Sequence, residues 1–198
     1  MVRKIKSVIS VLLISALFSY SYAQDCDISV RVVSQEESGL TKSAEDFLVK
    51  RIGQVSNNEN FVVSAGSSLA IVPKLLCLTK DVVPGPPIKY SLNFELSLYL
   101  IDVKTGTIYH SEILPLKSVD NSESRAQISA LSQLKATSPQ LISLFKDGKK
   151  KVIAYYDANG ASIIAEAKKL AAMREFEAAL YTILTIPDCS KYSEEATT

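Results

Sequence analysis

His110 is the only histidine in this 198-residue sequence, and Cys26, Cys77 and Cys189 are its cysteines. Together these residue types offer one nucleophile. Cys77 and His110 on neighbouring strands would place an imidazole where it can take the thiol proton and leave a thiolate. A lone cysteine and a hairpin histidine more often serve structure, so the leading expectation is a chain with no catalytic residue. A metal is not expected either. Successive cysteines lie 51 and 112 positions apart, without the close pairs that zinc sites use.

Other polar runs read as surface. Glu36-Glu37, Glu45-Asp46 and Glu194-Glu195 are sequence neighbours, and neighbours on a helix do not face each other as an acid/base pair must. Gly66-Ser67-Ser68 lacks the lysine and glycine spacing of a phosphate-binding loop, so no cofactor is expected. Lys149-Lys150-Lys151 could meet an anionic surface, but such a run more often keeps a helix wet.

The first residues say where the chain works. Arg3, Lys4 and Lys6 precede an apolar run from Val8 to Phe18, and Ser21-Tyr22-Ala23 closes it with small residues at the two positions a signal peptidase reads. Cleavage is expected between Ala23 and Gln24. A membrane span would need about 20 apolar residues, and this run is too short. Cys26 is not expected to carry lipid, because Ala23-Gln24-Asp25 lacks the apolar-small-small lead-in of a lipidation site. Three cysteines in an exported chain leave at least one unpaired, and the sequence does not choose among the three pairings.

Removing the leader takes the formal charge from +1 to about −2. A nearly neutral chain lacks the basic face that nucleic acid demands. No further apolar run is long enough to span a bilayer. Three segments follow: 1–23 as signal peptide, 24–120 as an α/β sheet domain and 121–198 as a helical region.

Alternation of Ile28, Val30 and Val32 predicts a strand. Leu40, Ala44, Phe47, Leu48 and Ile52 share one face of a helix that Gly53 would end. Leu69 to Thr79 reads as a strand in which Pro73 calls for an edge or a bulge, and 81–87 reads as a stiff loop. Leu92, Phe94, Leu96, Leu98 and Leu100 alternate with polar residues over the clearest strand, which turns through Asp102 to Gly106 and returns from Thr107 to Leu116. Beyond Val119 the pattern becomes helical. A short helix after Ser138-Pro139 is expected to break at Asp147-Gly148, with a long one from Lys149 to Met173 and a last one from Glu175 to Ile186.

Two patches resemble known families. Leu98 to Ile108 carries Asp102-Val103-Lys104-Thr105-Gly106 between two strands. It resembles the hairpin of the exported α/β domain shared by the curli-secretion lipoprotein, the N-terminal domain of TolB and the penicillin-binding-protein activator lipoproteins, over about residues 27–135. The chain lacks room for the long extra hairpins of a secretion pore. Ala167 to Ala171, Phe176 to Leu180, Leu184, Ile186 and Pro187 are similar to a single tetratricopeptide-type hairpin.

The expected protein is α+β, a small mixed or antiparallel sheet with packed helices followed by a helical region with a repeat-like hairpin. The resemblance implies a non-catalytic binding or assembly factor of the periplasm or outer envelope, with a protein partner there. An exported enzyme using Cys77 and His110, or a structural subunit of an envelope complex, are the alternatives, and self-association is left open. Tyr156, Phe176, Leu180, Ile183 and Leu184 are the candidate interface, more apolar surface than one hairpin can bury. The competing expectation is that residues 121–146 fold back and cover it.

Overall fold

The computed structural model describes residues 26–33 and 38–197. The expected cleavage site at Ala23 and Gln24 lies outside the described residues. The elements are β1 (Ile28–Val32), α1 (Lys42–Asn58), β2 (Phe61–Val63), β3 (Leu69–Val83), β4 (Lys89–Asp102), β5 (Ile108–Asp120), α2 (Glu123–Leu131), α3 (Pro139–Ala172), α4 (Phe176–Ile183) and α5 (Ser193–Thr197). The strands form one sheet in the order β2-β1-β3-β4-β5. β1 runs parallel to β2 and β3, while β3, β4 and β5 form an antiparallel meander. The α+β class with a mixed sheet stands.

Burial follows the alternation of β4. Leu92, Phe94, Leu96, Leu98 and Leu100 are buried, and the helices pack on that face. Ser118 of β5 donates to the Ala126 carbonyl of α2 at 2.6 Å, and Phe145 of α3 meets Phe61 of β2 with ring centroids 5.2 Å apart. The helical region 121–198 therefore shares one core with the sheet. The opposite face of the antiparallel strands is open, with Lys74, Leu76, Ile113, Lys117 and Val119 exposed.

Asp102 explains why the β4–β5 turn needs its sequence. Its buried carboxylate accepts from the Lys104 and Thr105 amides at 2.8 and 3.1 Å, and Gly106 takes φ 72°, which glycine reaches at no steric cost. Pro73 sits where the pairing of β1 with β3 runs out, the last partners being Val32 and Ile71. The bulge falls further on, between Cys77 and Thr79.

Three boundary expectations are corrected. Gly53 does not end α1, which continues to Asn58; the left-handed residue is Asn60, at φ 59°. The 81–87 loop is shorter than expected, because β3 extends to Val83 and pairs it with Lys89. Asp147-Gly148 breaks nothing, since α3 is one helix of 34 residues. Gly148 is there for packing: a Cβ would approach Leu100 Cδ2 to 2.7 Å. Asp147 stays in helix because its carboxylate takes bonds from Ser143 and Lys150, at i−4 and i+3.

Candidate functional site

α4 follows α3 after a tight turn in which Arg174 takes φ 64°, and the two helices pack as a hairpin. The eight-residue α4 buries only Ala179. Phe176 and Leu184 are 66% and 72% exposed and Leu180 is also exposed, forming a row at spacings of four on one helical face. Ile183 is half-buried. Residues 121–146 do not cover this row.

Tyr156 is a correction. At 2% exposed it is core, not interface, because its position on α3 faces the sheet. Tyr155 stacks edge-on between Tyr109 and Tyr156, at centroid distances of 5.4 and 5.3 Å, and is itself half-buried. Burial pushes the phenols of Tyr109 and Tyr156 above their ordinary pKa, and the nearby Asp102 charge pushes the same way.

Beside α4 lies a cleft of about 360 Å³ between the helix and the loop that joins β2 to β3, lined by Ser29, Ser64, Ser67, Tyr181, Leu184 and Thr185 among others. Tyr181 donates its hydroxyl to the Gly66 carbonyl at 3.3 Å, and Ser67 donates to the Ser29 carbonyl at 2.7 Å. The run Gly66-Ser67-Ser68 thus builds a wall of this cleft. Nothing in its spacing signalled this, because the partner helix is more than a hundred residues away.

Cys77 and His110 are not brought together. Cys77 lies opposite Phe94 and His110 opposite Leu100, which separates them by about 20 Å along β4 at ~3.3 Å per residue. Cys77 is a free, exposed thiol. His110 instead meets α3. Its Nε2 is 3.3 Å from Ser143 Oγ and 3.2 Å from Glu112 Oε1, and its Nδ1 is 2.9 Å from Lys151 Nζ. Ser143 in turn donates to Asp147 Oδ2 at 3.2 Å. The hydrogen-bonded Lys150 beside Asp147 holds its carboxyl below the usual carboxylate range. Sequence reasoning missed this Ser–His–carboxylate cluster, since Ser143 lies in a helix and His110 in a strand with no motif linking them.

Cys26 and Cys189 form a disulfide with Cα atoms 5.7 Å apart, tying the start of β1 to the segment after α4. Lys149 donates to the Cys26 carbonyl. A structural bridge of this kind belongs to an oxidising compartment, in keeping with export. No described helix is long and apolar enough to cross a membrane. Among the described residues, no group of three or more His, Cys, Asp or Glu side chains could hold a metal ion.

No family model matches the chain, and no curated protein matches it by sequence. Among solved structures, a minor lipoprotein from Acinetobacter baumannii is similar at 9% identity and a TM-score of 0.42, over 62% of this chain and 92% of that one. The PelC dodecamer subunit from Paraburkholderia phytofirmans is similar at 13% identity and a TM-score of 0.35, over 55% of this chain and 86% of that one. The likeness is distant.

Proposed function

We propose that the protein is an exported, non-catalytic binding or assembly factor of the periplasm or outer envelope, of the curli-secretion, TolB or penicillin-binding-protein activator type, and that it docks a protein partner through α4. The observation that carries this reading is the exposed row of Phe176 and Leu180 on α4, a helix that buries one residue, continued by Leu184 at its C-cap. A contiguous apolar row beside a cleft with both polar and apolar walls suits a contact surface. The leader and the Cys26–Cys189 bridge support the compartment.

Site-specific photo-crosslinking tests the reading. A crosslinker at Leu184 should trap a defined species in envelope preparations, and one at exposed Lys50 on α1 should not. Leu180→Asp should abolish the Leu184 adduct without lowering the melting temperature. Equal adducts from both positions, or none from Leu184, would exclude α4 as the docking surface.

A further inference from the structure

The β3–β4 hairpin ends in Val82-Val83-Pro84-Gly85-Pro86-Pro87-Ile88, seven residues without a charged or hydrogen-bonding side chain. All seven are exposed, with Val82 and Ile88 at 56% and 54%. Directly behind this tip the chemistry changes. Lys89 and Asp81 are exposed, Tyr90 is half-buried, and Lys80 bonds Glu123 at the start of α2 at 2.7 Å. An apolar tip with lysine and tyrosine at its base has the order of side chains found at a membrane–water boundary, where both residue types hold the headgroup level.

The backbone of the tip is also poor in donors. Backbone donors without partners are heavily penalised in lipid. Pro84, Pro86 and Pro87 have no N–H to leave unpaired, and ladder pairing reaches Val82–Tyr90 and Val83–Lys89. Reach points the same way. From Asp81 the tip projects three residues, about 10 Å at the strand rise, comparable with the ~5–10 Å at which surface-bound segments lie in the boundary between headgroups and acyl chains.

We propose that Val82–Ile88 inserts into the boundary layer of a phospholipid leaflet, with Lys89 and Tyr90 at the headgroups. This goes beyond the docking role of α4 and does not rest on it. The chain contains no tryptophan, so Ile88→Trp introduces a single reporter. With vesicles of phosphatidylethanolamine and phosphatidylglycerol, the exported protein should co-float. Ile88→Trp emission should shift to the blue and be quenched by acyl-brominated lipid. The double variant Val83→Asp/Ile88→Asp should lower flotation at least about tenfold while melting as the parent does. Unchanged Trp emission in vesicles, or flotation of the double variant equal to the parent, overturns the proposal. Concentration-dependent self-association that the double variant loses, without vesicle binding by the parent, also overturns it and makes the tip a contact between copies.

Discussion

Gly160 of α3 forms the seat of Tyr192: a Cβ at position 160 would lie 2.9 Å from the Tyr192 Cβ and 2.6 Å from its Cγ. Alanine is otherwise the better residue in a helix interior, by about 1 kcal/mol. Here the clash reaches the atom bonded to the Tyr192 backbone, so rotation of the ring cannot relieve it. Gly160→Ala should therefore cost about 1–3 kcal/mol of stability in urea melts. Tyr192→Gly, which removes the Cβ as well as the ring, should remove most of that cost in the double variant. Strictly additive effects would mean that the two residues do not touch.

The Cys26–Cys189 bridge spans 163 residues, and cross-links that close long loops restrict the unfolded chain most. Replacing both cysteines by serine should lower stability by about 2–5 kcal/mol. Reductant should reproduce the loss in the parent and have no effect on the variant. Cys77→Ser should leave both the urea midpoint and its response to reductant unchanged, since Cys77 is free. A parent insensitive to reductant would rule out a stabilising bridge.

What the sequence carried was local. Alternation from Leu92 to Leu100 is enough to orient β4, and Asp102 with Gly106 defines the turn through a carboxylate and a positive φ. Helix ends were harder to read. Gly53 and Gly148 look like punctuation along the chain, yet Gly148 answers to Leu100 of β4, a contact visible only in three dimensions. The same holds at the site. The apolar row of α4 is readable as excess hydrophobic surface, whereas the burial of Tyr156, the Ser143–His110 contact and the choice of Cys189 as partner for Cys26 depend on which elements the topology lays together. The register of β3 on β4 and of β4 on β5, which parts Cys77 from His110, has no trace in residue spacing.

Tyr109 and Tyr156 make the stability fall in alkali. Both phenols have folded pKa values raised above the ordinary ~10, first by burial. As pH climbs past about 10 the unfolded chain loses these protons while the folded one keeps them, so the unfolded state binds fewer protons and stability decreases with pH. Below that pH their contribution is fully present. The urea midpoint should be flat through these groups between about pH 7 and 9 and decline above about 10. Tyr109→Phe and Tyr156→Phe should each make the alkaline decline shallower. An unaltered slope in both would assign the decline to other groups.

His110 decides whether its cluster can activate a nucleophile. The Lys151 ammonium is a donor only, so at 2.9 Å it obliges Nδ1 to accept. The ring proton of neutral His110 then resides on Nε2, where Glu112 Oε1 accepts it at 3.2 Å. Ser143, 3.3 Å from the same nitrogen, directs its own proton to Asp147. A general base for Ser143 would need a bare Nε2 and a carboxylate on Nδ1, the reverse of this arrangement. With one histidine in the chain, nitrogen-15 imidazole spectra are unambiguous. At a pH where the ring is neutral they should show the Nε2–H tautomer, and Lys151→Met should loosen that preference by freeing Nδ1. An Nδ1–H ring in the parent protein would reverse the conclusion, leaving Nε2 free to take the Ser143 proton and returning this cluster to the list of candidate nucleophiles.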